Sequence, residues 1–299
     1  MMRLALDWTP NINHIGFFVA QHKGFYKEAG VEVEIIDPSA DNYAVTPAKK
    51  VEMGMADLAL CPTESVISYQ TKKDPFPLIG IATIFQEDVS AIVVKGDAGI
   101  SSPKDLDGKS YASYKARFED EIVKQMIRND GGQGELTLAY PDKLGIWETV
   151  MSGAFDATWI FVNWEGVEAE GSDIPLTYFR MKDYEVPYSY SPLIAIDERK
   201  LVEAEQDYKN FLSASKAGYL YAVSNPEEAN SILRSFLPEK DQKIDLKKAL
   251  DISAPAFGTE ESWGKMDPQV VGDFLQWIYD HGLESIKLEV SEVITNQCF

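Results

Sequence analysis

The sequence predicts an α/β protein built as two similar lobes with a ligand cleft between them. Short strand-like runs alternate with amphipathic helix-like segments, the signature of an α/β fold. A chain of 299 residues is long for one ordinary domain and comfortable for two. A three-point pattern also recurs: Val51-x-x-Gly54-x-x-Asp57 precedes an apolar run at Leu58–Cys61, and Val150-x-x-Gly153-x-x-Asp156 precedes another at Ala157–Phe161. Each copy reads as a helix closed by a C-cap glycine, a tight turn and a buried strand.

The elements follow in order. Residues 3–7 are strand-like and run into Trp8-Thr9-Pro10-Asn11, a loop rich in turn formers. Residues 16–29 read as one helix with Phe17, Phe18, Phe25 and Tyr26 on its apolar side, ended by Gly30. Residues 31–36 alternate Val and Glu, as a strand with one exposed face does. Further strands are expected at Leu58–Cys61, Leu78–Thr83, Ser90–Lys95, 110–113, 136–140, Ala157–Phe161 and Leu193–Asp197, and a helix at 118–128. From about residue 198 to 281 the pattern is almost wholly helical. These assignments place one lobe at 1–88 plus 192–299 and the other at 89–191, with hinge crossovers near 86–90 and 188–192.

Composition excludes several classes. The 28 basic and 48 acidic residues give a net charge of −20, which repels phosphate backbones and anionic lipid, so no nucleic-acid partner is expected. The apolar runs fall short of the roughly 18 residues a membrane span needs. The two cysteines, Cys61 and Cys298, have no zinc-like or redox spacing and read as free thiols. Three histidines show no His-Glu-x-x-His spacing, and no Gly-x-Ser-x-Gly elbow is present. Gly131-Gly132-Gln133-Gly134 lacks nucleotide-loop spacing, and Asp105-x-Asp107-Gly108 lacks the remaining ligands of a calcium loop. Neither a cofactor nor a metal site is expected. Met1-Met2-Arg3 leads directly into a strand candidate, with no signal peptide pattern. The expected location is periplasmic, or extracellular and membrane-associated, if an export signal was removed, and cytoplasmic otherwise.

In open α/β sheets ligands bind beyond the carboxyl ends of the strands. That rule brings five loops to one cleft: 8–14, 61–65, 85–88, 113–117 and 163–165. Trp8 offers an aromatic face, against the alternative of a core tryptophan. Glu64 and Glu165 offer carboxylates, though a carboxylate at a helix start is also favoured by the dipole alone. Asn11 either shapes its loop or meets ligand, and His14 is either a contact or a helix-start residue satisfied by backbone. Ser113, Tyr114 and Lys115 open a helix; with Arg117 they would suit a phosphate or carboxylate. Trp164 offers a second indole, and Tyr188 and Tyr190 either close over ligand or pack at the hinge.

The opening Leu6-Asp7-Trp8-x-Pro10-Asn11-x-x-His14, with Ala20-x-x-Lys23-Gly24-Phe25-Tyr26-x-x-Ala29-Gly30-Val31, resembles the thiamine-pyrimidine branch of type II periplasmic solute-binding proteins. The likeness extends through both Gly-x-x-Asp elements, Trp164-Glu165, Trp263-Gly264-x-Met266-Asp267 and Thr295-Asn296. That branch holds formylaminopyrimidine-binding proteins and fungal hydroxymethylpyrimidine phosphate synthases. In the synthases a lysine after the third strand holds pyridoxal phosphate, a histidine four residues on donates ring atoms, and a cysteine-rich motif binds iron. Here those positions read Cys61, Ser65 and Pro187-Tyr188-Ser189-Tyr190-Ser191, so the resemblance implies binding without synthase chemistry. The implied ligand is an aminopyrimidine precursor of thiamine, stacked on aromatics and paired through its amino edge to a carboxylate. The implied partner is an ABC transporter permease. A cytoplasmic pyrimidine synthase or salvage protein of the same fold is the alternative.

Overall fold

Hydrogen-bond pairing sorts the strands into two sheets of the same design. The computed structural model describes residues 1–299. In chain order the strands are β1 (Met2–Ala5), β2 (Val33–Ile36), β3 (Leu58–Cys61), β4 (Leu78–Thr83), β5 (Ser90–Lys95), β6 (Lys109–Ala112), β7 (Leu136–Ala139), β8 (Ala157–Phe161), β9 (Leu176–Phe179) and β10 (Leu193–Asp197). One sheet runs β2-β1-β3-β10-β4 and the other β7-β6-β8-β5-β9. In each, three parallel strands are followed by one that is antiparallel to both its neighbours. β3, β4 and β10 are buried along their whole length, which is why they read as unbroken apolar runs rather than alternating ones. β9 was not anticipated: Leu176–Phe179 is half-exposed and short, an edge strand without an apolar run.

The helices are α1 (Ile15–Lys23), α2 (Phe25–Glu28), α3 (Pro47–Glu52), α4 (Thr63–Thr71), α5 (Glu119–Asn129), α6 (Ile146–Met151), α7 (Glu165–Gly171), α8 (Glu205–Ser224), α9 (Pro226–Arg234), α10 (Leu246–Phe257), α11 (Pro268–Asp280) and α12 (Val290–Val293). The single helix expected over 16–29 is two, because Gly24 adopts φ +81° and its N–H closes on Ala20 and Gln21. No helix is long and apolar enough to cross a membrane.

The recurring Gly-x-x-Asp pattern has one structural meaning in both sheets. After α3, Gly54 takes φ +69° and Met55 N–H bonds back to Lys50 C=O at 2.8 Å. After α6, Gly153 takes φ +77° and Ala154 N–H bonds back to Thr149 C=O at 2.8 Å. A side chain at either glycine would be strained in this left-handed region. The aspartate then latches the next strand to its parallel neighbour. Asp57 N–H donates to Arg3 C=O at 2.9 Å, and Asp57 Oδ2 accepts the Arg3 N–H at 3.0 Å. Asp156 N–H donates to Ser110 C=O at 3.2 Å, and Asp156 Oδ2 accepts the Ser110 N–H at 2.8 Å and its hydroxyl at 2.7 Å. The Ser110 hydroxyl, against a smaller cost of burial, holds the Asp156 carboxyl below its ordinary range. Burial pushes Asp57 upward, but the Arg3 guanidinium and amide together outweigh it and the net shift is downward.

The chain divides into two compact units, Met1–Asp88 with Ser189–Gly272 and Ile286–Phe299, and Val89–Tyr188 with Asp273–Ser285. The sequence-derived boundaries kept all of 192–299 in the first lobe. The structure instead gives Asp273–Ser285 to the second unit and returns the chain to the first at Ser189. The division falls inside α11, where a continuous amphipathic helix carries no turn signal to mark it. In the first unit α1 and α8 approach at a pair of glycines: a Cβ on Gly218 would lie 2.0 Å from Gly16 O. Tyr219, fully buried beside this contact, donates its hydroxyl to Asn13 C=O at 2.6 Å and so pins the loop that follows β1. The C-terminal segment covers the edge of β4: Thr295 N–H donates to Gly80 C=O at 2.9 Å. Asn296 grips Met266 at both backbone groups, at 3.0 and 2.8 Å. Cys61 and Cys298 are both buried and unbonded to each other.

Two outcomes follow. Asp57→Ala and Asp156→Ala are each expected to lower unfolding free energy by about 1.5–3 kcal/mol, the range for a hydrogen bond to a charged acceptor. Both carboxyls titrate below their unfolded values, so their contribution is full above the ordinary carboxylate range near pH 4 and disappears as pH falls through the depressed values. Urea unfolding from pH 7 to pH 2 should show the acid loss in the wild type and a flatter profile in each variant. Gly218→Ala should cost about 1–3 kcal/mol by overpacking, whereas alanine at exposed Gly171, with open space around it, should be tolerated.

Candidate functional site

The register of the first sheet brings several loops to one edge. Leu193 pairs with Cys61 and with Thr83, so the start of β10 lies at the same edge as the ends of β3 and β4. The parallel β1 ends there too, leading into Asp7 and Trp8. In the second sheet Ser90 pairs with Phe161, which puts the start of β5 beside the end of β8. The ends of the parallel strands β6 and β7 share that edge. The two groups of candidate residues are those that follow these strand ends.

In the first unit the loop after β1 is organised around Asp7, His14 and Asn11. His14 Nε2 meets Asp7 Oδ1 at 2.8 Å, while His14 Nδ1 lies 3.3 Å from the Asn11 N–H. Nδ1 accepts there, so Nε2 is the nitrogen that faces the aspartate. Asn11 Oδ1 accepts the Asn13 N–H at 2.8 Å and its amide nitrogen donates to Thr9 C=O at 3.1 Å. His14 is fully buried and Asn11 nearly so; both shape the loop. Trp8, by contrast, is half-exposed, with its ring centroid 5.8 Å from that of Tyr43. Tyr43, at φ +59°, donates its hydroxyl to Asp7 C=O and is pushed up in pKa by its burial. The result is an indole face braced from one side by a rigid neighbour.

The β3–α4 loop adds Cys61, buried, and Glu64, buried in the first turn of α4. Burial, and then the charge of Asp7, push the Cys61 thiol far above its ordinary range, so it is a poor nucleophile. Thr63 N–H and its hydroxyl both bond Tyr190 C=O, at 3.0 and 2.9 Å. The Tyr190 hydroxyl accepts the Asp267 N–H at 2.8 Å. Tyr190 thereby ties three segments of the first unit together.

In the second unit two carboxylates hold the loops. Glu119, a residue sequence reading passed over, is 2% exposed and accepts from the Tyr111 hydroxyl at 2.9 Å, Tyr114 N–H at 3.0 Å and Ala116 N–H at 3.1 Å. Burial raises the Glu119 carboxyl despite those bonds. Ser113 Oγ accepts the Lys115 N–H at 2.9 Å, and Lys115 takes a left-handed φ of +61°. Lys115 Nζ lies over the Tyr140 ring, 5.4 Å from its centroid, and the Arg117 guanidinium pairs with the buried Glu284 carboxylate. Glu165 opens α7, and its Oε2 accepts the Phe161 N–H at 3.1 Å. Trp164 is buried beside it. Tyr114 and Tyr188 are half-exposed. Tyr188 packs against Trp159 on β8, centroids 4.9 Å apart, and against Phe274 at 5.4 Å. Trp159 was also missed; its half-exposed face, shared with Phe161 by strand alternation, was the available signal.

Chemically, each unit carries half-exposed aromatic rings and buried carboxylates on the loops of one sheet edge. Such a set can stack on a flat ring and accept hydrogen bonds from amino groups.

This is the architecture of the periplasmic-binding-protein fold. It is shared with the periplasmic aliphatic sulphonate binding protein of Escherichia coli, at TM-score 0.72 and 15% identity over 98% of this chain and 91% of that one. The model of the family described as NMT1/THI5 like matches residues 11–229, and the chain belongs to that family. Among curated relatives, a formylaminopyrimidine-binding protein of Halalkalibacterium halodurans is 28% identical over 88% of this chain and 82% of its own length. A 4-amino-5-hydroxymethyl-2-methylpyrimidine phosphate synthase of Legionella pneumophila is 24% identical over 88% of this chain and 83% of its own.

His14→Ala would leave the Asn11 N–H and the Asp7 carboxylate without their shared partner. The expected loss is about 1–3 kcal/mol for the buried Asn11 N–H left unsatisfied, measured by urea unfolding. A stability equal to wild type would contradict the loop-shaping role.

Proposed function

We propose that this chain is a non-catalytic binding protein for an aminopyrimidine precursor of thiamine, delivering it to an ABC-type importer from outside the cytoplasmic membrane. The observation that carries the reading is Trp8, a half-exposed indole held on a rigid loop at the ligand-binding edge of a periplasmic-binding-protein sheet. Rigid aromatic faces stack well on flat heterocycles. Glu165, which opens α7 on the loop after β8, carries a carboxylate, a group that suits the amino edge of such a ring. Glu64, Tyr114, Trp164 and Tyr188 lie on the loops of the same two edges. Membership of the family and the likeness to the Halalkalibacterium formylaminopyrimidine-binding protein support the same ligand class.

A second reading, a pyrimidine synthase of the same fold, is favoured by the name of the Legionella relative. Against it stand Cys61, a buried thiol held protonated where the resemblance places a Schiff-base lysine, and Ser65, which has no imidazole to donate.

Isothermal titration with 4-amino-5-hydroxymethyl-2-methylpyrimidine and with its formylamino analogue tests the reading. Binding of at least one is expected. Glu165→Gln should weaken it by about 1.5–3 kcal/mol, the worth of a charge-assisted hydrogen bond. Trp8→Ala should weaken it by about 0.5–1.5 kcal/mol beyond the lost buried area. Wild-type affinity in both variants would remove these residues from the site. Incubation with pyridoxal phosphate, ferrous iron and oxygen should yield neither pyrimidine product nor a mass change at any histidine; either result would favour the synthase.

A further inference from the structure

We propose that Glu119 makes the loop at residues 113–117 an anion-rejecting surface, so that the ligand of this site is an uncharged or cationic pyrimidine and not its phosphate ester. The inference rests on the aminopyrimidine reading for the identity of the ring, but its central claim concerns the loop alone.

From sequence, the start of α5 has the makings of an anion cradle: successive amides before a helix, with Lys115 and Arg117 beside them. The structure commits each of those groups elsewhere. Tyr114 N–H and Ala116 N–H both donate to the Glu119 carboxylate, at 3.0 and 3.1 Å, and the Lys115 N–H donates to Ser113 Oγ at 2.9 Å. Three consecutive amides are therefore satisfied by the chain's own side-chain oxygens. The cations are drawn off as well, Lys115 over the Tyr140 ring and Arg117 onto the Glu284 carboxylate.

The helix start itself is acidic. The first turn of α5 carries Glu119, Asp120 and Glu121. Asp120 accepts the Tyr140 hydroxyl at 2.9 Å, and Glu121 pairs with Lys124 at 2.6 Å along the helix. An incoming phosphate would have to displace Glu119 from two amides and then lie beside that buried carboxylate, and like charges at such a site oppose each other. A neutral ring with a hydroxymethyl or formylamino substituent meets no such opposition. Glu119 is 2% exposed and acts through the loop, so it is a positioning residue.

The test has two arms on the whole chain. In the first, backbone amide resonances of Tyr114, Lys115 and Ala116 are followed while inorganic phosphate, and separately sulfate, is titrated into the wild type. No saturable shift is expected; a saturable shift at these amides overturns the inference, whatever pyrimidines bind. In the second arm, affinities for 4-amino-5-hydroxymethyl-2-methylpyrimidine and its phosphate monoester are compared. The uncharged compound should bind at least tenfold more tightly in the wild type. In Glu119→Gln that preference should fall at least threefold, with phosphate now shifting the loop amides. Equal or tighter binding of the phosphate ester by the wild type, or an unchanged preference in a folded Glu119→Gln protein, overturns the proposal. If that variant does not fold, the wild-type measurements decide. If neither pyrimidine binds, the functional reading fails and the anion titration alone judges the loop.

Discussion

A carboxylate accepting an amide near the start of a neighbouring parallel strand is the constraint on which both sheets depend. Asp57 and Asp156 stand one residue ahead of β3 and β8, and each grips the start of the strand beside it. Parallel pairing needs a crossover and has no tight turn to set its register. The aspartate supplies that register locally, and the glycine three residues before it lets the preceding helix stop and turn. Once β3 and β8 are placed, their far ends present Cys61 to Glu64 and Phe161 to Glu165 at the carboxyl-end edges of their own sheets. The candidate site is thus positioned from the opposite end of each strand.

Buried and half-buried carboxylates recur at those edges with a second task. Asp7 orients His14, Glu165 accepts the amide of Phe161, and Glu119 closes the 113–117 loop on itself. A buried carboxylate is costly unless hydrogen-bonded, so each of these stiffens the backbone that meets its charge. Stiff loops hold Trp8 and Tyr114 half-exposed without the ordering cost that flexible ones would add on binding. The same chemistry gives the loops a sign: they suit donors and oppose acceptors.

Several features of this arrangement were readable in the residues. The paired Gly-x-x-Asp motifs, the apolar runs of β3, β4, β5, β8 and β10, and the strand-end position of Trp8 all follow from local backbone preferences and burial. The interrupted helix at Gly24, the edge strand β9 and the switch of α11 between units did not. Gly24 is one glycine in a pattern that otherwise continues, β9 is half-exposed, and α11 is amphipathic throughout. None carries a local signal strong enough to overrule its surroundings.

The sequence by itself determined the α/β class, the doubled design and the set of aromatic and acidic side chains at the strand ends, because these depend on spacing along the chain. Tertiary structure alone decided which of those side chains organise loops and which face outward. His14, Asn11 and Tyr190 carry ligand-like chemistry, yet their partners, Asp7, Thr9 C=O, Thr63 and the Asp267 N–H, use it internally. Glu119 sits in a run of acidic residues that reads as a solvated helix face, and only folding buries it against two amides and a tyrosine. A hydrogen-bonding group can serve a ligand only with the capacity its neighbours leave, and that remainder is set by contacts between residues far apart in the chain.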